Sequence, residues 1–477
     1  MALALIFVPI LLAVLAAAMP SNCLRPWLIP VTGTAHLALT VFALTRPDLA
    51  ANAAWLVLDP LGKIILLTVS ALFFFCSFHA AGYLRHRAET PNRVFCFCFL
   101  AFLGLMSLVT CSHHLGLTWV AIEGTTLVTA PLIYFERAPR SIEATWKYMM
   151  VCSVGIALGL LGTFFLAYSS LYAGLDSALT LEGLLERAPQ LSKPWLHAAF
   201  LLLLVGYGTK MGLAPMHTWL PEAHSEAPAP VSAMLSGALL PCAFLSILRI
   251  YHICAAAGDV VFVSRPLIWI GLFSMAVACV FLVGQRDFKR MLAYSSVEHM
   301  GILAMGLGIG APALFGTLLH VLTHGLTKGV LFLSAGNIYQ AYGSKSTEQV
   351  SGAMRRLPLS GTFFLVGFFA ITGSPPFGPF ISEFSILNGA FDAGRYVTGG
   401  LFLFLLLAVF IGMGATVLKV VQGRASFAAR NRPYRETFLS GAPIIGMLLL
   451  VSILGLYVPE AVAALIRDAV LFLEGRP

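Results

Sequence analysis

The sequence lacks the patterns of nucleotide-binding, hydrolytic and metal-binding proteins. It contains no glycine-rich phosphate loop and no Ser/His/Asp arrangement, and its nine cysteines are scattered. Cys96 and Cys98 stand two apart, whereas zinc and iron–sulfur sites need CxxC-type spacings. The longest predicted loop, roughly 171–194, is too short for a soluble domain. We therefore expect no cofactor, no metal and no redox centre in this chain.

Charged residues are also scarce, at 10% of the 477 residues, while 59% are hydrophobic. Apolar runs such as "IILLTVSALFFFCSFHAAGYL" and "LFLFLLLAVFIGMGATVL" have about the 20 residues that a helix needs to cross a bilayer. The pattern predicts an all-α polytopic membrane protein with about fourteen transmembrane helices. The predicted spans, the last with a broken extension, are 2–21, 27–45, 58–84, 94–112, 116–135, 147–170, 195–213 with a second half near 216–226, 230–255, 266–284, 291–310, 312–340, 358–390, 398–420 and 441–473.

The basic residues predict the orientation in the membrane. Loops that join an odd span to the next even one hold 17 lysines and arginines, and the other loops hold five. Because basic loops stay on the cytoplasmic side, both termini should face away from the cytoplasm. One basic loop, after span thirteen, holds Arg424, Arg430, Arg432 and Arg435. We expect a multi-pass protein of a bacterial or archaeal cytoplasmic (inner) membrane. The net charge of +8 is this topology signal, and no nucleic-acid partner is inferred from it.

Six lysines and arginines lie within predicted spans, where a charge is costly and therefore a functional candidate. Those near span ends, whose long side chains can reach the interface, are Lys63, Arg249 and Arg467. Lys210 differs because it precedes "MGLAP", where Gly212 and Pro215 break the helix. Broken helices of this kind build the ion sites of transporters. We interpret Lys210 as a proton-handling charge; the alternative is a lysine that reaches one interface.

Two acidic residues also lie within spans. Glu123, in "LTWVAIEGTTLVTAPLI", would be protonated unless paired, and its natural partner is a buried lysine on another helix. Glu383, in "ITGSPPFGPFISEFSIL", follows a second break at paired prolines. The breaks near 215 and 375 are about 160 residues apart, as an internal repeat would produce. The alternatives are a neutral, hydrogen-bonded Glu123 and an interfacial Glu383.

The stretch "LLHVLTHGLTKGVLFL" places His320, His324 and Lys328 on one helical face. Histidine titrates near neutral pH, so we interpret this face as a proton relay. A metal site is the first alternative, although no third protein ligand is evident from the sequence. A structural role is the second.

Weaker candidates for a polar channel lie in two other spans. Glu298 and His299, in "AYSSVEHMGI", are adjacent and so should point to different faces. Lys419 is predicted deep in span thirteen. A channel role and a structural role are equally compatible with each of them.

Four blocks resemble, in the same order, the family of antiporter-like proton-translocating subunits. They are "KMGLAPMHTWLPEAHSEAPAPVSAMLSGALL", "QRDFKRMLAYSSVEHMG", "LLHVLTHGLTKGVLFLSAGNI" and "RRLPLSGTFFLVGFFAITGSPPFGPFISEF". The family includes antiporter-like subunits of complex I, Mrp cation/proton antiporters and group 4 membrane-bound hydrogenases. In detail the chain is most similar to the F subunits of hydrogenase-4.

The resemblance implies two inverted five-helix repeats, with helices 7 and 12 broken. It divides the chain into N-terminal helices at 1–92, repeats at 93–255 and 256–420, and a C-terminal helix region at 421–477. The residues that it places on a polar axis are the input pair Glu123 and Lys210, the connection His320, His324 and Lys328, and the exit acid Glu383.

One helix departs from the family pattern. Members of the family usually carry a lysine or histidine in helix eight, but "ALLPCAFLSILR" puts Pro241 at the lysine position. Ser236 falls at the histidine position and is a candidate channel residue. Either water bridges the gap between Lys210 and His320, or the subunit conducts poorly.

The resemblance implies proton translocation in a redox-driven complex like hydrogenase-4, formate hydrogenlyase or NADH:quinone oxidoreductase. Its partners would be antiporter-like and hydrogenase- or quinone-linked membrane subunits, within a lipid bilayer, and the chain itself would hold no redox centre. The alternatives are an Mrp-type antiporter subunit, the membrane partner of an inorganic-carbon uptake system, and a non-conducting scaffold subunit.

Overall fold

The computed structural model describes residues 1–46, 55–87, 89–176, 179–424 and 434–475. Within these ranges the fold is helical, and extended pairing is limited to three isolated bridges. Eleven helical segments are long and apolar enough to cross a membrane. Arg430 and Arg432 of the predicted basic loop lie outside the described residues.

The first half of the chain consists of six long helices and then several shorter pieces. The six are α1 (Ala2–Ala18), α2 (Leu28–Thr45), α3 (Pro60–Arg85), α4 (Arg93–Cys111), α5 (Leu115–Ile133) and α6 (Pro139–Tyr172). The pieces are α7 (Leu181–Arg187), α8 (Lys193–Met211), α9 (Leu220–Glu226), α10 (Ala229–Met234) and α11 (Leu240–Ala256).

The second half mixes long helices with another broken pair. Its helices are α12 (Val260–Leu282), α13 (Phe288–Ile309), α14 (Ala311–Tyr342), α15 (Ala353–Arg356), α16 (Pro358–Ile371), α17 (Gly378–Asp392), α18 (Tyr396–Val421), α19 (Phe438–Leu456) and α20 (Glu460–Leu473). The eleven apolar segments, together with α1, α13 and the α16–α17 pair, account for the fourteen predicted spans. The short helix α20 is the predicted broken extension.

Both predicted helix breaks are present. Helix α8 ends at Met211, and Gly212 follows in the left-handed region with φ of 82°, where glycine avoids the strain that a side chain would bring. The chain continues through a 3₁₀ turn into α9. The second break separates the end of α16 at Ile371 from the start of α17 at Gly378.

The eighth span is irregular where its sequence departs from the family. A π turn over Leu235–Leu239 joins α10 to α11, and Pro241 stands at the start of α11. Proline has no N–H to donate to the carbonyl four residues earlier, that of Gly237. A π turn shifts the hydrogen-bonding ladder by one residue and so accommodates this gap. The π turn and Pro241 thus interrupt the regular hydrogen-bonding ladder at the same place in this span.

Two spans are completely buried over their most apolar part, and they pack against each other at a pair of glycines. Helix α14 and the α10–α11 span have no exposed face there. A Cβ atom on Gly237 would lie 2.7 Å from the Gly325 carbonyl oxygen, so the backbones can pack this closely only without side chains. This contact places Ser236 beside the turn of α14 that carries His324.

Ion pairs between the loops that connect the spans form two groups. Arg87 pairs with Glu136 at 3.1 Å and Lys345 with Glu226 at 2.8 Å, all from connections between odd and even spans. Lys193 pairs with Asp259 at 3.2 Å, and both lie in loops that join an even span to the next odd one. The grouping agrees with the loop alternation that the sequence predicts.

Arg249 is buried within the protein, against the start of α3 and the end of α4. Its side chain is 2% exposed and bonds the Asp59 carboxylate at 2.9 Å. It also donates to the carbonyl oxygens of Thr110 and Ser112, both at 2.8 Å. The guanidinium thus ties α3, α4 and α11 together in the fold.

Candidate functional site

Lys210 lies in a pocket of hydroxyl groups at the end of α8. Its side chain is fully buried, and Nζ donates to Thr126 Oγ1 and to Tyr148 Oη, both at 2.8 Å. The ammonium also lies 4.8 Å from the centroid of the Tyr148 ring, where a cation is attracted to the π system. Thr129 contacts Tyr148 Oη at 2.6 Å. The buried charge is therefore solvated by protein hydroxyls.

The sequence led us to expect a direct pair between Glu123 and Lys210, but in the structure the two side chains do not contact each other. Its Oε2 accepts a hydrogen bond from Thr126 Oγ1 at 3.2 Å, and its Oε1 accepts one from Ser153 Oγ at 2.8 Å. Thr126 thus stands between the carboxylate and the ammonium. Glu123 is partly exposed, next to the exposed Ser153 on the outer face of α5 and α6. A proton can pass between the two charges through one hydroxyl group.

A second buried group surrounds Lys328 in α14. Lys328 Nζ donates to the Leu292 carbonyl at 3.0 Å, and Ser296 Oγ donates to the same carbonyl at 3.1 Å. Ser296 in turn contacts Ser236 Oγ at 2.7 Å. Ser236 is therefore linked to the surroundings of Lys328 by one further hydroxyl.

Three histidines form the centre of this second group. His299 Nδ1 lies 2.9 Å from His320 Nε2, and His320 Nδ1 lies 2.8 Å from Ser382 Oγ. The ring centroids of His299 and His324 are 4.9 Å apart. The ring of His324 also lies 6.0 Å from that of His320, centroid to centroid. The three buried rings form a cluster that joins α13, α14 and α17.

The sequence did not indicate a third histidine next to the α14 pair, and His299 provides one. The ligand atoms of the three rings all lie within 4.8 Å of one another, as a metal ion would require. In this structure, however, two of the rings bond each other and Ser382. That arrangement is a hydrogen-bonded chain.

Glu383 ends the second group beside the broken helix. Its Oε1 lies 3.8 Å from His299 Nδ1, and its Oε2 lies against Gly373, in the break between α16 and α17. Gly373 has a φ of 66°, and a Cβ atom there would collide with the carboxylate. The break therefore makes room for the acid.

The side chains of Glu298 and His299, which we expected on different helical faces, lie close to each other. His299 Nε2 lies 3.9 Å from Glu298 Oε2, and both side chains are buried at the second group. Lys419 is not brought to either group. It is exposed, two residues before the end of α18, and not deep in the span as predicted.

The hydroxyl residues of both groups were missed by sequence reasoning. Hydroxyl side chains are common in membrane helices and do not titrate near neutral pH, so residue type alone does not mark these four as part of a site: Thr126, Tyr148, Ser296 and Ser382. Thr126 alone offers a local signal, because it follows Glu123 by three residues and so shares its helical face.

Comparison with known proteins places the chain in a family. The sequence model described as "NADH:quinone oxidoreductase/Mrp antiporter, TM" matches residues 112–412. A hydrogenase-4 component F homolog of Methylacidiphilum infernorum (isolate V4) is 35% identical over 475 residues, which cover 97% of each chain. NADH-quinone oxidoreductase subunit N of Desulforudis audaxviator (strain MP104C) is 32% identical over 345 residues, 72% of this chain and 68% of that one.

The fold agrees with these sequence relationships. A chain in respiratory complex I from Thermus thermophilus with bound NADH superimposes with a TM-score of 0.84 at 20% identity, covering 99% of both chains. The resemblance of the four sequence blocks is confirmed. The chain is a multi-pass membrane protein that belongs to the NADH:quinone oxidoreductase/Mrp antiporter transmembrane family.

Proposed function

We propose that this chain is a proton-translocating subunit of a redox-driven membrane complex. The observation that carries the proposal is the set of buried ionisable side chains between the two helix breaks, from Lys210 to Glu383. Buried ionisable groups inside a membrane are costly and typically mark proton or ion paths. The names of the relatives, membrane subunits of a hydrogenase and of quinone oxidoreductases, support the redox connection.

The input end is the group of Glu123, Thr126 and Lys210. A hydroxyl can accept a proton on one lone pair while it donates its own, so Thr126 transmits a proton from Lys210 to Glu123 or in reverse. Separation of the two charges weakens the stabilisation of each charged form. A conformational change at the broken helix α8–α9 would then release a proton towards the second group.

The exit end is the histidine cluster with Glu383. A neutral imidazole has one N–H and one bare nitrogen, so His299 and His320 form a chain in which a proton accepted at one ring is passed to the next. Glu383 lies 3.8 Å from His299 Nδ1, the nitrogen that also faces His320, and Gly373 leaves room for the carboxylate to move. We infer that the proton leaves through Glu383.

The middle of the path has no ionisable residue from helix eight. Ser236 and Ser296 provide a hydroxyl pair there, linked to Lys328 through the Leu292 carbonyl. No described side chain bonds Lys210 to this pair. We propose that water completes the connection, as a polar gap with hydroxyl and carbonyl partners permits.

The complex is proposed to lie in a bacterial or archaeal cytoplasmic membrane, with both termini away from the cytoplasm. Partners are proposed to be further antiporter-like subunits and the hydrogenase- or quinone-linked module that performs the redox reaction. The partial exposure of Glu123 supports a partner at this face, because an ionisable group is unfavourable against lipid.

The test is proton uptake by inverted vesicles that hold the intact complex, with NADH, formate and hydrogen supplied in turn. We expect acidification only with an electron donor and without a requirement for Na⁺. Uptake that needs Na⁺ and runs without any donor would instead identify an Mrp-type antiporter subunit. Redox turnover without acidification would favour the scaffold role.

A further inference from the structure

A polar cavity and an apolar groove lie along the same two helices, α3 and α19, away from the proposed proton path. His86, Arg87, Tyr434 and Arg435 line the cavity, at the end of α3 and just before α19, and Tyr339, Gln340 and Gly343 at the end of α14 complete it. Phe74, Phe75, Phe78, Phe438 and Leu439 line the groove, within the same two helices. We propose that together they bind one anionic phospholipid, with its phosphate in the cavity and an acyl chain in the groove.

The cavity has an excess of positive charge. Arg435 is exposed and has no hydrogen bond or ion pair within the described part of the chain. Arg87 pairs with Glu136 at 3.1 Å but remains 35% exposed. The carboxylate beside Arg435, that of Glu436, is engaged elsewhere, because it accepts from the Ser360 backbone N–H at 2.6 Å at the start of α16. At least one guanidinium is therefore available for a phosphate.

Tyr434 holds the backbone that presents Arg435. Its hydroxyl donates to Asn337 Oδ1 at 3.0 Å, and its carbonyl accepts from Arg356 Nη2 at 3.0 Å. Burial raises the pKa of Tyr434 to about 12, so the hydroxyl stays protonated and remains a donor. The tyrosine ring also stands 6.2 Å from the ring of His86. The cavity wall is thus formed before any ligand arrives, which lowers the entropic cost of binding.

The groove fits a hydrocarbon chain. The ring of Phe74 packs edge-on against Phe75 and Phe78, with both centroid separations 5.2 Å. Gly446 leaves space on α19 for the Phe75 ring. Phe438, at the upper end of α19, is 83% exposed. The walls are apolar, and the groove opens on the outer surface of the helices.

The spacing of the cavity and the groove matches a phospholipid. His86 follows Phe78 by eight residues, which is about 12 Å along a helix axis. A headgroup layer is about 5–8 Å thick on each side of the hydrocarbon core. When Phe78 lies in the hydrocarbon, His86 therefore reaches the phosphate level. Basic pockets between helices at the cytoplasmic face attract anionic headgroups, and the orientation predicted from the loops puts this cavity on that side.

The experiment is native mass spectrometry of the intact, delipidated complex, titrated with phosphatidylglycerol, with phosphatidylcholine of the same chains, or with inorganic phosphate. The variants are a double change, His86→Gln with Arg435→Gln, and Ala442→Trp, which fills the groove. The matched control is Arg395→Gln, an arginine before α18 in a connection of the opposite kind.

We expect one tightly retained phosphatidylglycerol in the wild type and at least tenfold weaker retention in both the double variant and Ala442→Trp. Arg395→Gln should retain phosphatidylglycerol as the wild type does, and phosphatidylcholine should be retained more weakly than phosphatidylglycerol. Equal retention in all variants would overturn the proposal. So would displacement of the ligand by inorganic phosphate with no effect of Ala442→Trp, which indicates an anion site without a lipid. A wild-type complex that retains no phosphatidylglycerol would also overturn the proposal.

Discussion

Thr126 separates Glu123 from Lys210, with its Oγ1 3.2 Å from the carboxylate and 2.8 Å from the ammonium. If this hydroxyl carries the proton between them, Thr126→Val should lower proton translocation per redox turnover by roughly tenfold, since a hydrogen bond to a charged group contributes about 1.5–3 kcal/mol. Proton uptake by vesicles, measured with redox turnover in the same sample, checks this expectation.

The control for that variant is the neighbouring Thr125→Val. Thr125 is equally buried, but its hydroxyl donates to the Ile122 carbonyl at 2.6 Å within its own helix. Loss of translocation in both variants to the same degree would mean that helix packing, and not the hydroxyl link, is responsible.

Ser236 and Ser296 are expected to supply the central link in place of the family's lysine or histidine. Ser236→Ala removes one hydroxyl of a pair 2.7 Å apart and should slow proton uptake severalfold without loss of the assembled complex. Ser246→Ala is the matched control, because Ser246 is buried in the same span and its hydroxyl has no partner among the described residues. Unchanged uptake in Ser236→Ala would show that the path bypasses helix eight.

Gly373 makes room for the Glu383 carboxylate, so Gly373→Ala should block the exit. The substitution brings two costs, a left-handed backbone that costs about 1–2 kcal/mol for alanine and a collision with the acid. Gly394→Ala has the first cost alone, since its φ is 69° and a Cβ there meets nothing within 4 Å. We expect Gly373→Ala to lower acidification per redox turnover strongly while Gly394→Ala retains the wild-type value. Equal effects would attribute the loss to backbone strain.

The Arg249–Asp59 pair is expected to support stability and not transport. Arg249→Gln removes the guanidinium from Asp59, whose Oδ2 keeps its contact with His113 Nε2 at 3.2 Å, and the loss of one member of a buried pair costs about 3–5 kcal/mol. The melting temperature of the purified chain should fall markedly, as thermal unfolding in detergent would record. Arg265→Gln, at an exposed arginine of α12, should leave it unchanged. A similar melting temperature in both variants would contradict this assignment.

Much of the fold follows from apolar run length and from proline and glycine. The fourteen spans and the breaks at Gly212 and before Gly378 were predictable because helices must satisfy their backbone inside the membrane. The π turn before Pro241 was not predicted, because a shift of the hydrogen-bonding ladder leaves no pattern in residue type.

The candidate site was predicted less completely. Charged and histidine residues stand out in an apolar sequence, so Lys210, His320 and Glu383 were identifiable as single positions. Their connections were not, because the pairing of His299 with His320 joins two helices and depends on how these pack. For Arg249 the position near a span end was evident from the sequence, but its buried ion pair with Asp59 was not.

The most direct test of a proton path through this chain is proton uptake in inverted vesicles that hold the intact complex with Lys210→Ala, followed together with redox turnover. Lys63→Ala, at a partly exposed lysine of α3, is the control for loss of a lysine. We expect turnover to persist in Lys210→Ala while acidification per turnover falls well below that of the wild type. Acidification equal to that of the wild type would contradict a proton path through this chain.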